Sequence, residues 1–464
     1  MTPLPPATPS ARPEEAAVVE ESVPRPHPSV TGAFGRWWEE RRRAAPLTVT
    51  PVSFADLHQW HFAPEGGDLV HATGGFFAVA GMRRYEADGS VRDQPVISQP
   101  EIGMLGILVK RFGGVPHALM QAKAEPGNVG SVQLSPTVQA TRSNYTRVHR
   151  GHGTRHLEHF SGDRRGRVLV DSLQSEQGAW FWRKRNRNVL VETTAEVADH
   201  PDHHWVELDE LRRLLRTDHL VNMDARSVLG TAPLFRPPPD SDDPFVRALA
   251  RSYAESPAGD DDEQEVRTWL NDAKSRCASS ARLLPLSGID GWTRTDGEIG
   301  DDDGTAFRII AVQVTAVGRE VPGWSQPLLA PRSESVATFL AREIDGILHL
   351  LVQARAEPGL HDLLELAPTV HRHYPGEAPG PFDALAESED PARVRYDARH
   401  SEEGGRFHRA ITRHRVIDVG AEVPVDVPES YRWLTVHRLR TLARQGYHVN
   451  VEARSLLACL HSLW

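Results

Sequence analysis

The chain contains one long segment twice, and this internal repeat constrains its fold more than any other feature. Residues 117–138 read HALMQAKAEPGNVGSVQLSPTV, and residues 349–370 read HLLVQARAEPGLHDLLELAPTV. Without a gap, 12 of the 22 aligned positions are identical, whereas average residue frequencies would give roughly one or two. Further along, VNMDARSVL at 221–229 matches VNVEARSLL at 449–457. Segments this long and this far apart indicate two copies of one domain, not an array of short repeats.

Composition divides the rest of the chain around the two copies. We expect four parts: a disordered tail (1–30), a first copy (31–236), an acidic, proline-rich linker (237–265) and a second copy (266–464). The tail is rich in Pro, Ala and Glu, and it carries too little apolar surface to offset the entropy of folding.

Strand signals dominate the middle of each copy. Gly113 and Gly114 separate two β-like runs, 103–112 and 116–125, which predicts a hairpin. Asp-Gly at 345–346 takes the corresponding place in the second copy and is typical of a type I′ turn.

Helix signals lie towards the end of the first copy and in the linker. Residues 207–216 carry leucines at helical spacing, and a second helix is expected to start near Asn222 or Asp224. A short linker helix should begin at Asp243-Pro244, because proline is favourable at the first helical position. We therefore predict an α+β fold with mixed or mainly antiparallel sheets and helices.

Bulk properties limit the partners and the compartment. The net charge of −10 argues against a nucleic-acid partner. Only Cys277 and Cys459 occur, which favours a reducing compartment over a disulfide framework. No apolar run reaches about 18 residues, and no export signal is visible. We expect a soluble, cytoplasmic protein without a membrane partner.

Polar side chains concentrate in the segment 113–151. Gln121, Lys123 and Glu125 alternate, so on a strand they share one face. The segment adds further amide and hydroxyl groups: Asn128, Gln133, Ser135, Thr137, Thr141, Asn144 and Tyr145. Such a face can bind a polyhydroxylated small molecule. The alternative is an exposed sheet face whose charges are merely solvated.

The second copy has lost many of these polar groups. The first copy has Lys123, Asn128, Gln133, Ser135 and Gln139 where the second has Arg355, Leu360, Glu365, Ala367 and His371. We therefore expect the first copy to be catalytic and the second to be mainly structural or a weaker binding site.

Two matching arginines allow two interpretations. Arg226 and Arg454 both lie in an Ala-Arg-Ser context near a helix start. Such an arginine can clamp a diphosphate through two hydrogen bonds, or it can make a structural salt bridge.

Metal and cofactor motifs are missing from the sequence. The histidines at 149, 152, 156 and 159 do not follow a standard ligand spacing, so no metal is expected. The dinucleotide-binding, P-loop, nucleophile-elbow and zinc-protease motifs are also absent, so no cofactor is expected.

The segment 113–151 closely resembles the NDP-hexose 2,3-dehydratases of deoxysugar pathways. The resemblance rests on these motifs: QAKAEPGN (121–128), QLSPTVQAT (133–141), SNY (143–145) with His149 and Gly151, HATGGFFAVAG (71–81), WSQPLL (324–329) and both ARS segments. The tryptophan expected before Gln-Pro is present as Trp324, but the first copy has Arg92 there. This difference implies that the two copies do not hold a ligand identically.

The resemblance implies tandem duplicated Nudix-like domains, a homodimer and a dTDP-4-keto-6-deoxy-D-glucose substrate. The glutamate-rich box of a working Nudix hydrolase is absent, which disfavours metal-dependent diphosphate hydrolysis. The diketone product is expected to be labile, which implies capture by an NADPH-dependent 3-ketoreductase.

The implied reaction assigns roles to residues. Lys123, Glu125, Tyr145 and His149 are the candidates for proton transfer, with base and acid left open. The expected binding residues are Gln121, Asn128, Gln133, Ser135, Thr137, Thr141 and Asn144 for the sugar, Arg142 and Arg226 for the diphosphate, and Trp60 for thymine. The competing hypotheses are a catalytically inactive nucleotide-sugar sensor and a C3 epimerase that uses the same enolate.

Overall fold

The computed structural model describes residues 30, 32–141, 153–162, 166–254, 259–316 and 321–464, excluding the side chains of 259–263. Almost all of the predicted disordered tail lies outside this range. Within it, no helix is long and apolar enough to cross a membrane.

The first copy opens with a helix and continues mainly as strands. Its elements are α1 (Gly32–Ala44), β1 (Leu47–Val52), β2 (Trp60–Phe62), β3 (Leu69–His71), β4 (Ala78–Tyr85), β5 (Val91–Ser98), β6 (Gly103–Phe112), β7 (Val115–Ala124), β8 (Val132–Ser135), β9 (Val138–Ala140), β10 (Arg167–Ser175), β11 (Phe181–Trp182), β12 (Arg185–Glu192), β13 (His203–Glu207), α2 (Leu208–Leu214) and α3 (Met223–Leu229). Single 3₁₀ turns lie at Phe54–Asp56 and Leu157–His159.

Two helices join the copies, and the second copy repeats the same order. The elements are α4 (Pro244–Tyr253), α5 (Gly259–Arg276), β14 (Ser280–Leu284), β15 (Trp292–Arg294), β16 (Glu298–Asp301), β17 (Phe307–Ala316), β18 (Gly323–Pro331), β19 (Ser335–Ile344), β20 (Ile347–Ala356), β21 (Leu364–Pro368), β22 (Val370–Arg372), α6 (Asp383–Ala386), β23 (Val394–Ser401), β24 (Ile411–Asp418), β25 (Tyr431–Thr435), α7 (Val436–Ala443) and α8 (Val451–Leu460). A 3₁₀ turn lies at Leu286–Gly288.

Each copy builds a large sheet with the same pairing pattern. In the first, the order is β10-β12-β6-β7, with β8 and β13 on β7 and β9 on β6. In the second, the order is β23-β24-β19-β20, with β21 and β25 on β20 and β22 on β19. The β6–β12 and β19–β24 pairs are parallel, and the other pairs in these sheets are antiparallel. The predicted α+β class with mixed sheets is confirmed.

The smaller sheets exchange strands between the copies. Strand β1 pairs with β17 of the second copy, and β14 of the second copy pairs with β4 of the first. Each copy therefore completes a sheet of the other, and the apolar side chains of both copies share core clusters.

The two Pro-Gly turns after β7 and β20 also connect the copies. The Gly127 amide donates to the Gly404 carbonyl, and the Gly359 amide donates to the Gly178 carbonyl. A Cβ at Gly127 would lie 1.6 Å from the Phe407 carbonyl oxygen, and one at Gly359 would lie 1.8 Å from the Phe181 oxygen. Only glycine permits such close approach of two backbones.

The local sequence signals agree with the elements found. The hairpin turns at 113–114 and 345–346 have positive φ at both central residues, as a type I′ turn requires. Asn222 caps α3 by accepting from the Ala225 amide, and Asp243 caps α4 before Pro244. Helix α5, by contrast, begins inside the expected linker and ends in the second copy. Its residues 264–276 correspond in sequence position to helix α1 of the first copy.

Candidate active site

A cavity of about 780 Å³ lies between the copies, and we call it the first-copy cavity. The large sheet of the first copy contributes Lys123 and Glu125, at the end of β7. The small sheet contributes Trp60, while Trp324 and Arg406 come from the second copy. The strand exchange thus gives this cavity walls from both halves of the chain.

Lys123, Glu125 and Gln139 form a hydrogen-bonded group on one wall. The Lys123 ammonium lies 3.1 Å from Glu125 Oε1, and the Gln139 side-chain amide donates to the same oxygen at 3.0 Å. Lys123 also donates to the Gln139 carbonyl at 3.3 Å. Two donors on one carboxylate oxygen fix the direction of the Glu125 carboxylate.

Asn222, the cap of α3, orients Gln139 from behind. Its side-chain amide donates to Gln139 Oε1 at 3.0 Å and to the Ser135 hydroxyl at 2.9 Å. With its oxygen engaged in this way, Gln139 is left with its NH₂ group facing Glu125. The helix start therefore positions a residue of the cavity wall.

The buried carboxyl group of Asp224 lines the cavity, and that of Glu176 lies close enough to act on it electrostatically. Asp224 lines the cavity from the first turn of α3, is 3% exposed, and its Oδ1 has no hydrogen-bond partner among the described residues. Burial, reinforced by the charges of Glu403, Glu176 and Glu125, raises the pKa of Asp224 well above its usual range. Burial likewise raises the pKa of Glu176 to about 7. Burial therefore favours the protonated form of Asp224.

Aromatic rings and a guanidinium group also line the cavity, and we call this part the aromatic side. Trp60 is 7% exposed, and its indole NH donates to the Ser325 carbonyl at 3.0 Å. Phe76 is 45% exposed, and Trp324 is half-buried with its NH on Gln326. Arg406 lies over the Phe77 ring at 4.3 Å and donates to Gln99 at 3.0 Å. This side offers stacking surface together with a fixed positive charge.

The equivalent place in the second copy holds different chemistry. A cavity of about 410 Å³, which we call the second-copy cavity, is lined by Arg92, Arg355, Glu357 and His373. Arg92 stands where the first-copy cavity has Trp324, and Arg355 stands where it has Lys123. The two cavities therefore differ in volume and in the charge of their linings.

Sequence comparison decides the family. The family model described as NDP-hexose 2,3-dehydratase matches residues 31–231 and 263–460. The chain belongs to the NDP-hexose 2,3-dehydratase family.

Similar proteins agree with this assignment over nearly their whole length. A protein of Streptomyces violaceoruber is 48% identical over 446 residues, covering 93% of this chain and 97% of the relative. A protein of Saccharopolyspora spinosa is 44% identical over 447 residues (94% and 92%), and one of Amycolatopsis orientalis is 44% identical over 439 residues (92% and 89%). All three are named dTDP-4-dehydro-6-deoxy-alpha-D-glucopyranose 2,3-dehydratase. The chain is an NDP-hexose 2,3-dehydratase, a carbon–oxygen lyase.

The structure of this dehydratase brings some of the expected site residues together. Lys123, Glu125, Thr141 and Trp60 line the first-copy cavity. Gln121 precedes Lys123 on β7 and is not among the residues that line it. The remaining candidates Arg142, Asn144, Tyr145 and His149 lie outside the described residues.

Other expected sugar-binding residues are buried behind the cavity wall. Ser135 accepts from Asn222, and Thr137 links the β6 and β7 backbones by accepting from the Leu108 amide and donating to Leu119. Asn128 and Gln133 donate to the backbone carbonyls of Ser131 and Val129. These contacts are internal, so these four side chains support the wall from within rather than facing the cavity.

Arg226 lies at the contact between the copies. It is fully buried and donates to the Val221 carbonyl at 2.6 Å and to the Ser401 carbonyl of the second copy at 3.1 Å. Arg454 mirrors it by donating to the Ser175 carbonyl of the first copy at 2.6 Å. The two arginines cross-link the copies and do not line the first-copy cavity.

Residues that the sequence argument did not select also line the cavity. Gln139 and Asp224 belong to matched segments, but both reach the cavity only because α3 packs against β6, β8 and β12. Glu403 and Arg406 come from the other copy, about 280 residues from Lys123 in sequence. The sequence could have identified Gln139 as a site residue only from its replacement by His371 in the second copy.

Proposed function

We propose that the first-copy cavity binds dTDP-4-keto-6-deoxy-D-glucose and eliminates water across C2 and C3 of its sugar. The observation that carries this proposal is the convergence of Lys123, Glu125 and Asp224 on one cavity with Trp324 and Arg406. The named activity of the three relatives supports the choice of substrate.

The nucleotide end of the substrate is proposed to lie against the aromatic side. Trp324 and Phe76 expose ring surface on which thymine can stack, while Trp60 presents only a small part of its ring. Arg406 supplies a cation for the diphosphate among the described residues, in the role first expected for Arg226. Arg142 remains a second candidate from the sequence.

The chemistry follows from the 4-ketone. The ketone acidifies the hydrogen on C3, and its removal places the electron pair in an enolate on the C4 oxygen. As the enolate oxygen re-forms the C4 ketone, the electron pair of the C3–C4 double bond forms a C2–C3 double bond. The C2 hydroxyl, once protonated, leaves as water. The resulting enol tautomerises to a 3,4-diketo-2,6-dideoxy sugar. The reaction needs a base, a proton donor and a group that stabilises the enolate.

The geometry favours one distribution of these roles. Glu125 carries the oriented carboxylate and is proposed as the base. Asp224 is kept protonated by burial and is proposed as the donor to the leaving hydroxyl. Lys123 is proposed to stabilise the enolate oxygen with its ammonium group. Tyr145 and His149 stay candidates for proton transfer on sequence grounds.

The proposal also covers the domain architecture, the oligomeric state and a partner enzyme. The shared topology of the two large sheets, with helices packed on them, supports a tandem Nudix-like architecture. Family membership supports a homodimer, which light scattering of the purified chain would measure. The reactive diketone supports coupling to an NADPH-dependent 3-ketoreductase that consumes it.

Mass spectrometry of the reaction in D₂O tests the proposal. The chain is incubated with dTDP-4-keto-6-deoxyglucose, with and without a 3-ketoreductase and NADPH. Loss of one water, trapped as a 2,6-dideoxy product only with the reductase, is the expected result. Deuterium uptake at C3 without water loss would identify an epimerase, and binding without any mass change would identify a sensor.

A further inference from the structure

A buried cluster of two histidines and a glutamate lies in the second copy. Glu357 follows strand β20, His371 lies on β22, and His373 comes two residues later. The three residues are 3%, 2% and 6% exposed. Nothing in the proposed dehydration uses them, because none of the three lines the first-copy cavity.

The side chains of this cluster converge on one carboxylate oxygen. Glu357 Oε1 lies 3.3 Å from His371 Nδ1 and 3.5 Å from His373 Nε2. Ligand atoms about 2.0–2.1 Å from a tetrahedral Zn²⁺ are separated from one another by about 3.4 Å. The two distances from Glu357 Oε1 therefore match edges of a zinc coordination tetrahedron, and the ligand atoms of all three residues lie within 4.8 Å of one another.

The converging atoms contact one another at 3.3 and 3.5 Å, but without the geometry of a hydrogen bond. Glu357 Oε1, His371 Nδ1 and His373 Nε2 are all buried, and none has a hydrogen-bond partner among the described residues. Native structures rarely leave such atoms unsatisfied unless water or an ion binds them. The other carboxylate oxygen, Oε2, accepts from the Gly178 amide at 3.1 Å, which fixes the direction of Oε1.

We propose that Glu357, His371 and His373 form a Zn²⁺ site. Two imidazole nitrogens and one carboxylate oxygen are a ligand set that suits zinc, with a fourth position left for water or an anionic ligand. Glu357 and His373 line the second-copy cavity, so that position has access to it. This inference departs from the sequence-based expectation of no metal and is independent of the substrate proposed for the other cavity.

Surrounding residues support the proposed ligands. Glu452 Oε1 lies 3.7 Å from His371 Nε2, on the side of the ring away from Glu357. At this distance Glu452 makes no hydrogen bond to the ring, but a carboxylate on that side is placed as the outer partner of a metal-bound imidazole. Arg355 lies 3.5 Å from Glu357 Oε1, but its charge is balanced by Glu377 at 3.1 Å.

The first copy supplies substitutions that the fold already accommodates. The positions of His371 and His373 are occupied there by Gln139 and Thr141, so His371→Gln and His373→Thr install the residues of the related copy. The full-length chain and both variants are purified, stripped with a chelator, reloaded with Zn²⁺ and analysed for metal content. We expect one Zn²⁺ per wild-type chain at this site and its loss from each variant.

A second histidine cluster provides the matched control. His156, Glu158 and His159 also lie close together, but the Glu158 side chain is 67% exposed. His159→Gln should therefore retain the tightly bound Zn²⁺. Addition of Zn²⁺ should also raise the Tm of the wild type and of His159→Gln but not of the double variant His371→Gln/His373→Thr. Wild-type chain without stoichiometric zinc after reloading, or a folded double variant that keeps it, would overturn the proposal.

Discussion

At the scale of single residues, the Glu125 carboxylate owes its direction to an ammonium group and an amide on the same oxygen. A base held in this way needs no reorganisation when the substrate binds.

Replacing Glu125 tests this assignment directly. Glu125→Gln keeps the volume and the contact with Lys123 but removes the base, so kcat should fall by about 10²- to 10⁴-fold. KM should change little, because the remaining cavity contacts persist. Deuterium exchange at C3, followed by mass spectrometry, should be lost in parallel. Glu343→Gln, on an exposed position of β19, serves as the control. Retention of C3 exchange in Glu125→Gln would transfer the role of base to another residue.

The raised pKa of Asp224 predicts a pH dependence. Its carboxyl group is protonated below that pKa, so dehydration should fall as the pH rises through it. Asp224→Asn cannot donate a proton; its kcat should be lower by about 10²-fold or more, and this limb of the pH profile should vanish. The profile of kcat between pH 5 and 9 measures both effects. Asp209→Asn, on helix α2, should keep the wild-type profile; if Asp224→Asn also keeps it, Asp224 is not the donor.

The sequence predicted four residues of this site, Lys123, Glu125, Thr141 and Trp60, and the clearest signal was alternation along a strand. Lys123 and Glu125 were found because alternation on β7 places them on one face. Alternation also selected Ser135 and Thr137, which point into the protein, because a sequence pattern does not tell which side of a sheet is covered. Asp224 and Arg406 reach the cavity by tertiary packing, for which the local sequence has no signal.

At the scale of secondary-structure elements, equivalent helix N-termini make different contacts in the two copies. Asn222 caps α3 and Asn450 caps α8 with the same acceptor geometry, at 2.9 and 3.0 Å. The Asn222 amide also holds Gln139, whereas Asn450 Nδ2 has no hydrogen-bond partner in the described part of the chain. The cap was predictable from the sequence, but this second contact was not.

Comparing the two caps distinguishes the contribution of Asn222 to folding stability from its role in positioning Gln139. Asn222→Ala and Asn450→Ala should each lower the free energy of unfolding by about 1 kcal/mol, because each removes a helix cap. Asn222→Ala alone should reduce kcat, by roughly tenfold, since Gln139 loses the contact that aims its amide at Glu125. Urea denaturation and steady-state kinetics on the two variants check these expectations. Equal kcat values in the two variants would show that Asn222 acts only as a cap.

At the scale of the whole molecule, the repeat is visible in the sequence but the strand exchange is not. The sequence repeat makes β1 equivalent to β14 and β4 equivalent to β17. It does not indicate which strand each of them pairs with in a sheet. Six residue pairs join β1 to β17, and five join β14 to β4. Because the alternative partners are equivalent in sequence, pairing within each copy and pairing between the copies use the same strand sequences. The packing of both copies around a common core is what selects pairing between the copies.

The exchange predicts how the chain behaves when it is divided. A cut within 255–258 leaves one fragment with Lys123 and Glu125 and the other with Trp324, Glu403 and Arg406. Each fragment alone should be inactive and prone to aggregate, because β4 and β17 lose their exchanged partners and expose sheet edges. Co-expressed fragments should form a one-to-one complex with kcat within about tenfold of the intact chain, as the exchanged strands rejoin. Size-exclusion chromatography and the mass-spectrometric dehydration assay measure both outcomes. A first fragment that dehydrates the substrate by itself would show that the second copy is not needed to complete the site.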